Sequence, residues 1–139
     1  MAQSSSGKGD VKSFAAGDTL AAFRVVTFGG ASTTGIFVDP WATSTSFVFG
    51  VTLSPASFTG EAVDVLLAAP TAKASCFASV SSGALVGPAT AGAGQIVERA
   101  TPNTVTTRLT GLLGIALEAG DTNSVIEVLL GIANQRADT

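Results

Sequence analysis

The sequence predicts a mainly β fold, a small barrel or sandwich built from two related halves with repeated β-hairpins, preceded by a flexible N-terminal arm. Three observations carry this prediction. Gly50-Val51-Thr52-Leu53, the turn-like Ser54 to Gly60, and Glu61-Ala62-Val63-Asp64-Val65-Leu66-Leu67 read as strand, turn and strand at period two. The same pattern returns as Gly114-Ile115-Ala116-Leu117, a polar turn from Glu118 to Ser124, and Val125-Ile126-Glu127-Val128-Leu129-Leu130, with one residue fewer in the turn. Short β-branched and aromatic runs elsewhere are bounded by Gly, Pro and Ser, the usual punctuation of strands. A repeat near half the chain is too long for a solenoid, so two similar halves closing one core fit better.

Taken in order, residues 1–13 are rich in Ser, Gly and charge without periodicity and read as the flexible arm, which orders only against a partner or is inert. A single β domain is expected over 14–133, with halves of about 17–70 and 71–133, and 134–139 form a polar tail. Gly17-Asp18 is a turn into a strand from Thr19 to Phe28; Gly29 to Gly35 is a loop; Ile36-Phe37-Val38 is a strand stopped by Asp39-Pro40, because proline cannot donate to a ladder. Ser46 to Phe49 then leads into the first repeated hairpin.

In the second half, strands are expected at Ser75 to Val80 and Ala84 to Val86 around the turn Ser81-Ser82-Gly83, matching Phe23 to Phe28 and Ile36 to Val38 of the first. Further strands are placed at Gln95 to Ala100 and Asn103 to Leu109. The segment Ser124 to Ala133 also satisfies helical spacing behind Asp121 or Thr122 as a cap, but its correspondence with Ala62 to Leu67 favours a strand.

Alternation puts Val51, Leu53, Val63, Val65 and Leu67 on one inward face, and Ile115, Leu117, Ile126, Val128 and Leu130 on its copy. Leu66 and Leu129 fall on the other face beside Asp64 and Glu127. Such a mixed face needs a cover, so both leucines are candidate partner contacts.

Composition narrows the function. With 139 residues and 46% hydrophobic content the chain is long enough to bury a core, yet no apolar run approaches the roughly 20 residues that cross a bilayer, so no membrane partner is expected. The start lacks the apolar segment of a secretory signal, and synthesis in the cytoplasm is expected. Net charge is −3 and the seven basic residues are scattered, which opposes nucleic-acid binding. Only 12% of residues are charged, low for a small protein exposed on all sides, and this points to surface buried in an assembly.

The chain has no His, no Tyr and a single Cys, which excludes Ser-His-Asp and Cys-His catalysis and His- or Cys-rich zinc sites. Glu61 with Asp64, and Asp121 with Glu127, are better explained by turns and an exposed strand face than by acid–base chemistry. Gly29 to Gly35 lacks the Gly-Lys-Ser/Thr ending of a phosphate loop and precedes a strand. No catalytic, cofactor-binding or metal residue is therefore assigned. Cys76 reads as a small buried hydrophobe, with a reactive thiol as the alternative. Trp41 reads as core or loop packing, with sugar stacking or an interface anchor as alternatives.

At the paired Gly-Val/Ile-x-Leu and Val/Ile-Asp/Glu-Val-Leu-Leu hairpins, with Gly17-Asp18-Thr19 ahead and Gly83-Ala84-Leu85-Val86 between, the chain resembles the capsid cement, or head decoration, proteins of tailed bacteriophages over most of Gly17 to Leu130. Pro40-Trp41 and the Ser/Gly-rich start have no match in that family. The resemblance implies a β-rich virion protein on the capsid exterior, without catalytic residues or cofactor. It would act as a homotrimer that clamps neighbouring major capsid protein subunits. Lys8 and Lys12 would then lie near acidic groups of that partner, Phe14 would be the first anchored residue, and Trp41, Leu66 and Leu129 would be further contacts. A carbohydrate-binding module, a carboxylate-only enzyme, and a tail or neck component are the competing readings.

Overall fold

The computed structural model describes residues 10–32, 35–41, 48–99 and 112–130, and every regular element in them is a strand. Strands β1 (Asp10–Ala16), β2 (Val25–Ser32), β3 (Gly35–Pro40), β4 (Gly50–Thr52) and β5 (Ala62–Ala68) close into a barrel in the order β1-β3-β2-β4-β5. Strands β6 (Thr71–Ser75), β7 (Leu85–Pro88), β8 (Ile96–Glu98), β9 (Gly114–Ala116) and β10 (Val125–Leu130) form a second sheet, β6-β10-β9-β7-β8. The two sheets share one topology. The parallel pairing of Ala16 with Val38 that closes the barrel recurs as a single parallel bridge between Cys76 and Ile96.

The repeated hairpins superpose in register. Thr52 pairs with Val65 and Val51 with Leu66; in the copy Ala116 pairs with Val128 and Ile115 with Leu129. Each begins on a glycine because the opposite strand passes too close for a side chain: a Cβ on Gly50 would meet the Leu66 backbone at 2.5 Å, and one on Gly114 would meet the Leu129 carbonyl carbon at 3.0 Å.

A smaller motif occurs twice in each half. After a strand the chain bends, makes one antiparallel bridge, and turns into the next strand; Leu20 and Ala56 exchange hydrogen bonds at 2.9 and 2.8 Å, and Val80 and Gly120 do so at 2.8 and 3.0 Å. Each turn contains one residue with positive φ: Phe23 at 61°, Gly60 at 94°, Gly83 at 86° and Asn123 at 68°. Its N–H donates to the last carbonyl of a strand or the one just after it, Phe23 to Thr52 (2.8 Å), Gly60 to Ala16 (2.7 Å), Gly83 to Ala116 (2.8 Å) and Asn123 to Cys76 (2.7 Å). The left-handed residue aims its N–H across the turn, so the strand end is satisfied without a ladder.

This motif overrides several local expectations. Thr19 to Arg24 is bend, bridge and turn, and the strand expected from Thr19 starts only at Val25. Ser75 to Val80 is likewise the end of β6 and a bend, so its counterpart is Ala15 to Leu20 and not Phe23 to Phe28. Propensity favoured strands in both places, but the long-range bridges to Ala56 and Gly120 decide them. The Gly-rich stretch from Gly29 is no loop: β2 runs on to Ser32 and pairs with β3 through a register shift between Phe28 and Gly30. No strand forms at Val48 or Phe49, and β8 is confined to Ile96–Glu98. Asp10 to Ser13, expected in the arm, open β1; residues 1–9, the expected strand Asn103 to Leu109 and the tail lie outside the described residues. Within the ambiguous C-terminal segment, Val125–Leu130 is a strand.

Two apolar clusters account for the burial. Ala16, Leu20, Val26, Val38, Ala56, Val63 and Val65 fill the barrel, with Phe14 and Phe49 packed against them. Val25, Trp41, Val51 and Leu66, on the barrel's outside, join Ala74, Cys76, Val80, Val86, Ile96, Ile126 and Val128 of the second sheet in the other cluster. The outer face of β2, β4 and β5 is therefore the floor of the second half's core. This explains why Val25 beside Val26, and Val65 beside Leu66, are all buried. Each such Val or Leu contributes about 1.5–3 kcal/mol when fully removed from water.

Val51 and Ile115, expected inward, pair with Leu66 and Leu129 and lie on the outer face, and three further expected inward residues break the alternation. Leu53, Leu67 and Leu117 are 42%, 37% and 46% exposed, because Leu53 and Leu117 already lie in the bends and Leu67 lies at the barrel's end. Leu66, expected outward, is buried between the halves.

Candidate functional site: the mouth of the first barrel

At the end of the barrel where β1 begins and β5 finishes, β1 and β3 part. Their parallel pairing covers only Ala15 with Phe37 and Ala16 with Val38, so the strand edges diverge toward Asp10 and Gly35. The parting opens an apolar groove of about 370 Å³ lined by Lys12, Ser13, Phe14, Ala15, Gly35 and Ile36, with Gly60 and Ala62 beyond them. Ser13 Oγ donates to Asp64 Oδ1 at 2.7 Å and ties the β1 side of the groove to β5. Period two places Lys12 and Phe14 on the same side of β1 as buried Ala16.

Behind the groove three aromatic rings step outward. Phe14 meets Phe49 edge-on at 5.0 Å and 69°, and Phe49 meets Phe28 at 6.5 Å and 52°. Phe28 is 55% exposed at the outer end of this ladder. An exposed ring joined through Phe49 and Phe14 to a groove that Lys12 also lines is suited to holding a protein surface, since rings supply contact area at little side-chain entropy cost.

The structure brings together two of the six residues singled out from the sequence. Lys12 and Phe14 line the groove. Trp41 is fully buried in the cluster between the halves, with its backbone N–H donating to the Val25 carbonyl at 2.9 Å; the buried ring serves the core and offers no face to a sugar or a partner. Leu66 is withdrawn from the surface in the same way, and Leu129 is half-buried on β10. Lys8 lies outside the described residues. Ile36 on the groove, and Phe49 and Phe28 linked to Phe14 by ring contacts, are not singled out by the sequence, because only the three-dimensional barrel brings them to Phe14.

Elsewhere the polar chemistry is structural. The Cys76 thiol is buried, and burial, followed by the negative charges of Asp121 and Glu118, pushes its pKa above the usual thiol range. That environment opposes the thiolate a nucleophile needs. The Gln95 amide nitrogen lies 3.0 Å from Ser75 Oγ, 3.1 Å from the Cys76 carbonyl and 2.9 Å from Asn123 Oδ1, and so braces the last left-handed turn. Arg24 crosses the junction of the halves, donating from Nη1 to the Gly92 carbonyl at 3.3 Å, while its buried Nε has no partner among the described residues and burial lowers its pKa.

No protein-family model matches the chain, and no curated protein matches its sequence. Among solved structures, it is similar to the N base of head fiber gp8.5 of bacteriophage phi29. The similarity has a TM-score of 0.70 and covers 88% of this chain and 95% of that one, at 14% sequence identity. The two share a fold. Coverage this complete takes in parts of both halves.

Proposed function

We propose that this protein is a structural component of a phage head, bound to the outside of the shell as a homotrimer and stabilising it by bridging neighbouring major capsid protein subunits. The observation that carries this reading is the shared fold, over nearly the whole of both chains, with the base of a phage head fiber. The sparse charge and the paired hairpins agree with it. In this reading the exposed ring and the groove at the barrel mouth face the shell, with Phe28 as the apolar contact and Lys12 for an acidic group. Three linked copies hold a lattice far longer than one, because each further contact forms intramolecularly. Binding only to the assembled state adds its free energy to that state's stability.

The test uses heads of the phage that encodes the protein, prepared with and without it. Added protein should co-sediment saturably with the deficient heads and raise the temperature at which they release DNA. The double variant Phe28→Ser, Lys12→Glu should bind more weakly while melting like the parent. Heads that neither bind the protein nor gain heat resistance would refute the proposal.

A further inference from the structure

The row Val25, Val51 and Leu66 crosses β2, β4 and β5 side by side and is buried against the second half. Its counterpart in the second half is Leu85, Ile115 and Leu129, joined by the same registers across β7, β9 and β10. Those three are only partly buried. Backbone hydrogen bonds fix the equivalence: Trp41 donates to Val25 as Arg99 does to Leu85, Phe49 to Val26 as Leu113 to Val86, and Leu53 to Asp64 as Leu117 to Glu127.

What the first row packs against is equally specific. The second sheet parts between β6 and β8, which touch only at Cys76 and Ile96, and the turn Phe23 to Val25 enters there: Ser75 N–H donates to the Phe23 carbonyl at 3.0 Å, and Val25 N–H to the Gly94 carbonyl at 2.9 Å. The corresponding parting in the first barrel is the groove between β1 and β3, and no segment among the described residues fills it. Among the described residues, one row and one groove thus engage each other inside the molecule, and a second, partly buried row and a second groove have no such counterpart.

We propose that copies of this chain associate head to tail, with the row Leu85, Ile115 and Leu129 of one copy seated on the β1–β3 groove of the next. The contact repeats between molecules the one that joins the halves within a molecule. It rests on the proposed function only in naming the interface that would build its trimer. Phe14 stands where the second half has Ala74, and Ile36 where it has Gly94, so larger side chains line the groove of the first barrel. The contact between copies is accordingly weaker than the internal one, and assembly is reversible. A head-to-tail contact leaves a free row and a free groove at the ends, so it closes into a ring or continues as a fibre.

The experiment uses two variants of the full chain, Leu129→Lys in the row and Ile36→Lys in the groove, each checked for parental melting and examined by sedimentation velocity. The parent should form an oligomer and each variant alone a monomer. An equimolar mixture should give a one-to-one dimer and nothing larger, because one intact row then meets one intact groove. If Leu129→Lys lowers the melting temperature, Leu85→Gln replaces it. A parent that stays monomeric, a variant that assembles like the parent, or a mixture that stays monomeric would overturn the proposal; retained assembly of Ile36→Lys alone would point instead to a row-to-row contact. Head binding is scored separately: an oligomer with this mixing behaviour that ignores phage heads would remove the virion reading and leave the interface intact.

Discussion

At Phe23, Gly60, Gly83 and Asn123 the backbone enters the left-handed region at the same point of four turns, and each of these residues sends its N–H to a carbonyl at the end of a strand or just after it. Two of the four carry a Cβ that disfavours this conformation by about 1–2 kcal/mol relative to glycine, less for Asn. Phe23 is retained there while its carbonyl accepts the Ser75 N–H that joins the halves. A Cβ on Gly83 would meet nothing within 4 Å, so Gly83→Ala tests conformational cost without a clash. It should lower stability by about 1–2 kcal/mol in urea unfolding, and Gly83→Asn should lower it less. Gly83 was legible as a turn residue in the sequence. Phe23 was not, because nothing local distinguishes an aromatic in a forced turn from one in a strand.

At the scale of the element, the hairpin copies carry the same inward position at Val65 and Val128, both with no exposed surface. Val65→Asp and Val128→Asp each bury an unpaired carboxylate, and each should cost at least about 4 kcal/mol or prevent folding, as read by chemical denaturation. If both melt like the parent, the face assignment fails. The hairpins were readable because strand, turn and strand are contiguous. By contrast β1 escaped notice: Asp-Val-Lys-Ser-Phe-Ala-Ala has no clean alternation, and its ladder partner β5 lies far along the chain. Removing residues 1–13 should therefore lower the melting temperature by more than about 5 °C relative to removing 1–9, since the former deletes half of a barrel strand.

For the whole molecule, the two halves differ less in topology than in what covers them. The outer row of the first is sealed by the second, and the outer row of the second is partly open; the duplication thus produces one satisfied and one unsatisfied copy of the same surface. The head-to-tail proposal and the head-binding proposal both involve the barrel mouth, the first through Ile36 and the second through Lys12 and Phe28, and differ in what is read out. The mixing and co-sedimentation experiments therefore report on them separately.

The sequence by itself determined the β class and the recurrence of one hairpin in both halves, while the register within each hairpin, Val51 on Leu66 and Ile115 on Leu129, came only from the structure. The class and the recurrence reside in period-two alternation and in turns whose partners are close along the chain. Tertiary structure alone decided that Trp41 and Leu66 are sealed between the halves, that Thr19 to Arg24 and Phe77 to Val80 leave the strands for bends, bridges and turns, and that Lys12, Phe14 and Ile36 line one groove from which Phe49 and Phe28 lead outward. The physical reason is common to all three. Alternation says which residues share a face of a strand, but whether that face meets water, a barrel interior or the other half depends on closure and docking between segments distant in the chain.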